Sequence, residues 1–274
     1  MTASQSERAK RFRALHEQKG AFVIVNPWDA GSARILAGLG FQALATSSGA
    51  AAGVLGRRDG KITRDEALAQ VRIIVAATEL PVSADLEKGF GDAPSVVAET
   101  VTLAAQAGLV GCSIEDATGN KEKPLYAFRD AVERVKAAVQ AARRLPFPFT
   151  LTARTENFLR GHPDLEVTIQ RLQAFEQAGA DVLFAPGLPD MEAVRKVCAA
   201  VSRPVNFMVG IKGKSFSVAE LENAGVRRIS LATSLWRAAM SGLLEAAREV
   251  KEQGTFAYLE RSIATPDISR YMQE

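Results

Sequence analysis

Short apolar runs rich in β-branched residues alternate along the chain with longer segments in which apolar residues recur every three to four positions. The short runs have the length and composition of buried strands. They lie at residues 21–26, 43–46, 81–84, 111–114, 150–153, 182–184, 204–208 and 228–231. The longer segments predict helices at residues 30–39, 64–78, 94–107, 126–143, 165–178, 191–200, 218–223 and 234–253, and residues 1–20 share the helical pattern. This alternation predicts a parallel sheet with covering helices, because parallel strands need crossover connections.

Local signals support the predicted helix ends. Thr63 with Glu66, and Ser217 with Glu220, have the spacing of capping boxes, in which side chain and backbone satisfy each other's free donors. A glycine follows four of the helices, and each can take the left-handed conformation that ends a helix before the next strand. These glycines are Gly40, Gly108, Gly179 and Gly225.

Eight strand and helix units in one chain, with no linker rich in Pro, Gly or Ser, fit an α/β fold of the closed (β/α)8 TIM barrel type. An open, doubly wound sheet is the alternative. We expect a single domain over residues 1–274, in which residues from about 234 to 274 form a C-terminal helical extension. The apolar side chains of residues 256–274 would be exposed on a free monomer, so we expect a partner subunit.

Composition narrows the possible partners. The chain of 274 residues is 47% hydrophobic and 24% charged, which excludes disordered and collagen-like classes. Its net charge of +3 and the absence of long basic runs argue against a nucleic-acid partner. No apolar run is long enough for a membrane span. Cys112 and Cys198 stand alone in apolar contexts, so we expect no disulfide or zinc site and a reducing, cytoplasmic location.

Acidic residues follow the third, fourth and fifth predicted strands, where a parallel barrel places its chemistry. They are Asp85, Glu87, Glu115, Asp116 and Glu156. Carboxylates this close would repel one another unless a positive charge lies among them. A carboxylate set without His or Cys indicates Mg²⁺ or Mn²⁺, and Arg154 could hold an anionic substrate. The alternative is that these acids are solvated loop residues or helix caps.

Several segments together resemble the isocitrate lyase and phosphoenolpyruvate mutase superfamily. They are Asp29-Ala-Gly-Ser-Ala-Arg34, Thr46-Ser-Ser-Gly-Ala50, Arg58-Asp-Gly60, Ser83-Ala-Asp-Leu-Glu-Lys-Gly-Phe-Gly91, Ser113-Ile-Glu-Asp116, Thr152-Ala-Arg-Thr-Glu156 and Gly225-Val-Arg-Arg-Ile-Ser230. The resemblance runs in register from about residue 12 to residue 240. It implies a (β/α)8 barrel whose last helix is exchanged between subunits, Mg²⁺ at the strand ends, and 2-oxo acids or their enol derivatives as substrates.

The resemblance also implies roles for individual residues. Asp85 is expected to bind the metal directly, with Glu87 and Glu115 acting mostly through metal-bound water. Arg154 is expected to neutralise the substrate anion, and Asp59 to lie near the reacting end, so that Asp59, Arg154 and Glu115 are the predicted catalytic residues. The predicted substrate-binding residues are Ser47, Ser48, Gly49, Arg154 and Asn206.

The loop after the fourth strand departs from the pattern of the superfamily's lyases. Those lyases carry Lys-Lys-Cys-Gly-His there, whereas residues 117–124 read Ala-Thr-Gly-Asn-Lys-Glu-Lys-Pro, with neither Cys nor His. This difference argues against isocitrate or methylisocitrate cleavage. Asn120 and Lys121 instead resemble, imperfectly, the gating-loop residues of phosphonate-processing members. Cys112 is expected in the core, and His16 on the surface.

These observations predict a Mg²⁺-dependent enzyme that cleaves or decarboxylates a small, oxaloacetate-like 2-oxo acid through a stabilised enolate. One alternative is a phosphoenolpyruvate or phosphonopyruvate mutase or hydrolase that acts on a P–C bond. Another is a degenerate barrel that binds ligand without turnover. The expected partners are a small anionic 2-oxo acid and further copies of the chain, in a homodimer or homotetramer.

Overall fold

The computed structural model describes residues 3–272 and contains one eight-stranded parallel sheet. The strands are β1 (Phe22–Ile24), β2 (Leu44–Ala45), β3 (Val82–Asp85), β4 (Gly111–Glu115), β5 (Thr150–Arg154), β6 (Val182–Phe184), β7 (Val205–Met208) and β8 (Arg228–Ser230). Their order is β1-β8-β7-β6-β5-β4-β3-β2, and a parallel bridge between Val25 and Leu44 joins the two ends. The (β/α)8 barrel is therefore confirmed, and the open-sheet alternative is wrong because β1 pairs with β8 on one side and the Val25–Leu44 bridge joins the chain after β1 to β2 on the other.

Helices follow the strands and cover the barrel. They are α1 (Gln5–Glu17), α2 (Ala30–Gly38), α3 (Ser48–Val54), α4 (Arg64–Ala76), α5 (Pro94–Gln106), α6 (Phe128–Arg143), α7 (Leu165–Gln177), α8 (Met191–Ala200), α9 (Val218–Asn223), α10 (Ser234–Gln253) and α11 (Thr265–Ser269). A 3-10 helix, Ala257–Arg261, precedes α11. The short helix α3 was not predicted. Each predicted strand, and each predicted helix from residue 30 onward, lies within two residues of its observed bounds, whereas the helical pattern of residues 1–20 is longer than α1.

The helix-end signals are confirmed. Both capping boxes are complete, with the side chains of Thr63 and Ser217 accepting from the backbone N–H three residues on. The four glycines that follow helices have φ between +87° and +98°. At Gly108 a side chain would also collide with its surroundings, because a Cβ there would lie 2.7 Å from Val75 Cγ1.

The core has two parts of different character. Strand residues that face the helices, such as Leu151 and Phe207, belong to a large apolar cluster shared with α2 and with α4 through α9. Cys112 is fully buried in this cluster, as predicted. The barrel interior is unusually polar, since Ser83, Thr152, Asn206 and Arg228 are all buried there. Barrel interiors are more often filled by bulky branched side chains.

Helix α1 packs over the N-terminal ends of the strands and buries His16. Phe12 and His16 lie on one face of α1, and the His16 ring contacts the rings of Phe12 and Phe22 edge-on at 4.8 and 5.0 Å. The expected surface position of His16 is therefore wrong, since the residue is only 7% exposed. Burial, and then the charge of Arg228, lowers the pKa of His16 to about 3, which keeps the ring neutral.

The predicted C-terminal extension contains α10, the 3-10 helix and α11, and α10 has no buried residue. Trp236 at its start packs against Gly53 of α3, and Tyr271 packs against Gly38 of α2. The structure does not show an exchange of this segment between subunits. Residues 1, 2, 273 and 274 of the predicted single domain lie outside the described residues. Within residues 3–272, no helix combines the length and hydropathy that a membrane crossing requires.

Candidate active site

Two adjoining cavities open at the C-terminal ends of β2 to β5 and contain nearly all of the predicted site residues. The outer cleft has a volume of about 540 Å³ and is lined by Ser48, Asp59, Glu87, Glu115 and Arg154, among others. The inner cavity, of about 60 Å³, continues into the barrel between Ser47, Asp85, Arg154 and Asn206. Gly49 packs closely against Thr233 and Asp59, because a Cβ there would lie 2.8 Å from Thr233 Cγ2 and 3.4 Å from Asp59 Cγ. A larger residue at this position would therefore displace these side chains.

Asp85 ends strand β3 and lies where the two cavities meet. Its Oδ1 accepts from the backbone N–H of Glu87 at 3.1 Å, and its Oδ2 accepts from Ser48 Oγ at 3.2 Å. Arg154 Nη1 approaches the same Oδ2 at 3.4 Å. These contacts fix the carboxylate in one orientation, which is what a metal ligand or an orienting group requires.

Glu87 lies in a backbone conformation that is uncommon for a residue with a side chain, with φ of +50°. Its Oε1 is buried and has no hydrogen-bond partner. Burial first, and then the negative charges of Asp85 and Asp59, raise the pKa of Glu87 to about 7. An unpaired oxygen facing two other carboxylates is a position where a cation would be stabilised.

Arg154 lies among the acids, although the sequence predicted for it only the role of a counter-charge to the substrate. Its Nε and Nη2 both lie 2.6 Å from Glu156 Oε1, and its Nε lies 3.5 Å from Glu115 Oε2. Although burial opposes its charge, Glu156, Glu115 and Asp85 hold the pKa of Arg154 above its ordinary value. The guanidinium also stacks over the Phe184 ring at 4.9 Å. Arg154 thus organises the acidic cluster.

A second arginine, Arg160, reaches the same cluster and is not among the residues predicted from the sequence. Its Nη2 lies 3.0 Å from Glu156 Oε2 and 3.5 Å from Glu115 Oε1. The signal in the sequence that could have indicated a contact between Arg160 and Glu156 is their spacing of four residues. Burial nevertheless raises the pKa of Glu115 well above its ordinary value, despite the favourable charge of Arg154. The two arginines therefore relieve only part of the carboxylate repulsion.

Asp116 turns away from the cleft and holds the backbone that carries Glu156. Its carboxylate accepts from Glu156 N and from Thr155 Oγ1, both at 2.8 Å, and it pairs with Arg171 Nη1 at 3.0 Å. The residue is 2% exposed. Asp116 is thus a structural support for the site, which the strand-end pattern alone could not distinguish from a metal ligand.

Residues 117–124 form a loop at the rim of the cleft. Thr118 N donates to Pro124 O at 2.9 Å, and Lys88 Nζ donates to Thr118 O at 2.9 Å, which ties the loop to the segment after β3. Lys121 lines the outer cleft together with Arg160. His162 lines a separate cavity, of about 960 Å³, beside Tyr126.

The residues present fit a magnesium ion that is held largely through water. No group of three or more His, Cys, Asp or Glu side chains within residues 3–272 is arranged closely enough to share an ion. Mg²⁺ commonly keeps several waters and binds one or two carboxylates directly. Asp85 would be the direct ligand, with Glu87 and Glu115 acting through water, and the unpaired Glu87 Oε1 is the feature that an ion would satisfy.

The protein is a (β/α)8 barrel whose polar cleft lies at the C-terminal ends of the strands, where enzymes with this fold have their active sites. The family model for phosphoenolpyruvate phosphomutase matches residues 12–251. The chain therefore belongs to this family, within the isocitrate lyase and phosphoenolpyruvate mutase superfamily.

Similar proteins include two curated enzymes and one solved structure. The chain is 31% identical to 2-methylisocitrate lyase of Escherichia coli K12, over 90% of this chain and 85% of that protein. It is 29% identical to oxaloacetate decarboxylase of Chromohalobacter salexigens, over 92% and 88%. A crystal structure of a suggested lyase or mutase from Burkholderia cenocepacia J2315 has a TM-score of 0.96 and 53% identity, over 97% of this chain and 96% of that chain. At the superfamily level, the chain is a C–C lyase or a mutase.

Proposed function

We propose that the protein is a Mg²⁺-dependent enzyme that decarboxylates or cleaves a small 2-oxo acid through an enolate. The observation that carries this proposal is the junction of the two cavities, where Asp85, Glu87 and Glu115 lie around Arg154 and Ser48. Similarity to an oxaloacetate decarboxylase supports C–C chemistry on an oxaloacetate-like acid.

Each residue would have a distinct task. Bound Mg²⁺ would supply Lewis-acid stabilisation of the charge that develops on the keto oxygen. Ser47, Ser48 and the backbone N–H of Gly49 would donate hydrogen bonds to the substrate carboxylate, and Ser47 is available because its side chain makes no cap hydrogen bond. Arg154 would neutralise the same anion while keeping Glu115 and Glu156 in place.

The possible reactions differ in the group that must protonate the enolate. The loop of residues 117–124 contains no thiol or imidazole that could donate a proton. Water entering the outer cleft, which reaches Asp59, would provide the proton instead. Reactions whose enolate can be quenched by water, such as decarboxylation, are therefore favoured over methylisocitrate cleavage.

A substrate panel tests the proposal. Oxaloacetate, methylisocitrate, phosphonopyruvate and phosphoenolpyruvate are each incubated with protein and Mg²⁺ and followed by NMR. We expect turnover of oxaloacetate or a close analogue, loss of that turnover with EDTA, and no turnover by Asp85→Ala. Efficient methylisocitrate cleavage would contradict the assignment. Ligand binding without any product would instead indicate the degenerate barrel.

Chemistry at a P–C bond is the second candidate. It is favoured by the match to the phosphoenolpyruvate phosphomutase family model and by Lys121, which faces the outer cleft near Arg160. Two cations at the rim could stabilise a transferring phosphoryl group. Turnover of phosphonopyruvate or phosphoenolpyruvate in the panel, with oxaloacetate unchanged, would select this alternative.

A further inference from the structure

Arg228 is a buried arginine at the floor of the inner cavity. It is 5% exposed. Its Nε donates to Asn206 Oδ1 at 2.8 Å, and its Nη2 donates to Thr152 Oγ1 at 3.0 Å. Its Nη1 lies 3.4 Å from His16 Nε2. Because His16 Nδ1 donates to the carbonyl oxygen of Phe12 at 2.8 Å, the Nε2 atom is left as an acceptor for Arg228.

All three partners of Arg228 are neutral. Within residues 3–272 no carboxylate forms an ion pair or a hydrogen bond with its guanidinium. Two other arginines differ in this respect, since Arg154 at the end of β5 pairs with Glu156 and Arg171 in α7 pairs with Asp116. Burial without a counter-ion lowers the pKa of Arg228 to about 9. A buried charge of this kind is costly unless an anion joins it.

The inner cavity connects this charge to the proposed metal site. Asp85 and Arg154 line one part of it, and Asn206 and Arg228 line another. Ser113 Oγ lies 3.5 Å from Asp85 Oδ1, and Ser113 stands opposite Thr152 in the register of β4 and β5. Asp85 and Thr152, which contacts Arg228, therefore lie two strands apart, which corresponds to about 10 Å at a strand spacing of about 4.8 Å. Ser83, Ser113 and Ser230 contribute small side chains to the cavity, which is also lined by Phe184 and Met208.

We propose that Arg228 forms a subsite for a second carboxylate, so that the substrate is a small dicarboxylic 2-oxo acid with its distal carboxylate inside the barrel. This inference rests on the function proposed above. The planar guanidinium can hold a carboxylate through two parallel hydrogen bonds, and the N–H groups not used by Asn206, Thr152 and His16 remain for that purpose. Those three neutral partners orient the guanidinium group of Arg228 without neutralising its charge.

Binding of stable analogues tests the subsite without relying on turnover. Malate and 2-hydroxybutyrate have the same chain length and the same 2-hydroxy acid end, but only malate carries a second carboxylate. Oxalate is too short to reach Arg228 as well, so its affinity measures binding at the proposed metal site alone. Each is titrated calorimetrically into protein with Mg²⁺, and NMR checks that it persists. We expect the wild type to bind malate at least about tenfold more tightly than 2-hydroxybutyrate.

Two variants assign that preference to Arg228. Arg228→Met removes the charge at similar length and should abolish the preference while oxalate affinity stays within about twofold. Asn206→Asp places a carboxylate beside Arg228, which should weaken the binding of malate by charge repulsion. The Arg228 guanidinium keeps a hydrogen-bond partner in this variant. Asn206→Asp therefore tests the subsite even if Arg228→Met fails to fold. Arg13→Met, at an exposed position paired with Glu17, is the charge-matched control.

The outcomes separate the subsite from the proposed function. A wild type that binds oxalate but shows no preference for malate overturns the subsite alone. A preference that persists in Arg228→Met or in Asn206→Asp also overturns it. A wild type that binds none of the three acids with Mg²⁺ overturns the proposed function, and the subsite with it.

Discussion

Arg154 differs from Arg160 because its planar group reaches three carboxylates of the site instead of two. It contacts Glu156, Glu115 and Asp85 at 2.6, 3.5 and 3.4 Å. Arg154→Lys would keep the charge but could not reproduce this fork. We expect kcat/KM for the substrate found by the panel to fall at least about tenfold, equivalent to roughly 1.4 kcal/mol. Steady-state kinetics would measure it.

Arg143→Lys provides the matched control for that variant. Arg143 forms a similar two-pronged pair with Asp181, but at the opposite end of the barrel. This control should keep wild-type kcat/KM. If Arg154→Lys behaved in the same way, Arg154 would have neither an anchoring nor an organising role.

Glu87 gives a prediction about pH. The pKa of Glu87 is about 7 in the folded protein, against an ordinary value of 4.5. Because the folded state holds this proton more tightly, ionisation of Glu87 costs stability as pH rises from about 4.5 through 7. Without Mg²⁺, Glu87→Gln should therefore gain stability relative to wild type between pH 4.5 and pH 8. Urea unfolding at several pH values would measure the difference.

Magnesium should reverse that gain, since a cation favours the ionised carboxylate. Saturating Mg²⁺ should stabilise the wild type more than Glu87→Gln at pH 8. Glu99→Gln is the control, because Glu99 is exposed and pairs with Arg64 far from the acidic cluster. A difference in unfolding free energy that is independent of both pH and Mg²⁺ would refute the assigned environment of Glu87.

Individual site residues could be predicted where strand position alone determines them. Asp85, Glu115 and Arg154 end consecutive strands, so a parallel barrel brings them together whatever the details of packing. Arg160 and Arg228 could not be placed in this way. The position of Arg160 depends on the turn after β5, and the burial of Arg228 depends on whether its side chain points into the barrel or towards the helices.

At the scale of helices and strands, two of the glycines that follow helices share a backbone conformation but differ in how closely their surroundings pack. Gly40 and Gly108 have φ of +87° and +95°, but a Cβ at Gly40 would meet nothing within 4 Å, whereas one at Gly108 would lie 2.7 Å from Val75 Cγ1. Gly40→Ala should cost about 1 kcal/mol through backbone strain. Gly108→Ala should cost about 1–3 kcal/mol more, because it adds a packing clash.

Urea unfolding of the two variants would measure this difference. The double variant Gly108→Ala with Val75→Ala supplies the control, because it removes the colliding methyl groups and should recover part of the extra cost. Equal losses in Gly40→Ala and Gly108→Ala would show that the contact with Val75 does not restrict this position.

Periodicity predicted most of the long elements well because they bury one face or lie wholly in the core. It also predicted α10, whose apolar residues recur with helical spacing although none of them is buried in the single chain. It failed for α3, whose sequence Ser-Gly-Ala-Ala-Ala-Gly-Val has small residues on every side and no apolar stripe. It also misplaced His16. Phe12, Leu15 and His16 follow the i, i+3, i+4 spacing of one helix face, so the signal existed, but the polarity of His16 obscured it.

At the scale of the whole molecule, the C-terminal segment leaves apolar surface without cover. The side chains of Leu243, Leu244, Phe256, Leu259 and Ile263 are each at least 53% exposed. A concentration of exposed apolar residues on one segment is typical of an interaction surface. We propose that a second copy of the chain covers this surface, as the resemblance to helix-exchanging barrels implies.

Light scattering during gel filtration tests this proposal. At micromolar concentration the wild type should have a mass two or four times the 29.3 kDa of one chain. Introducing charge on α10 with Leu243→Asp and Leu244→Asp should reduce that mass, because buried carboxylates without partners oppose association. Ile73→Asp is the control, since Ile73 is 54% exposed on α4, away from the segment. A wild-type mass near that of one chain would mean that the monomer tolerates this apolar surface uncovered.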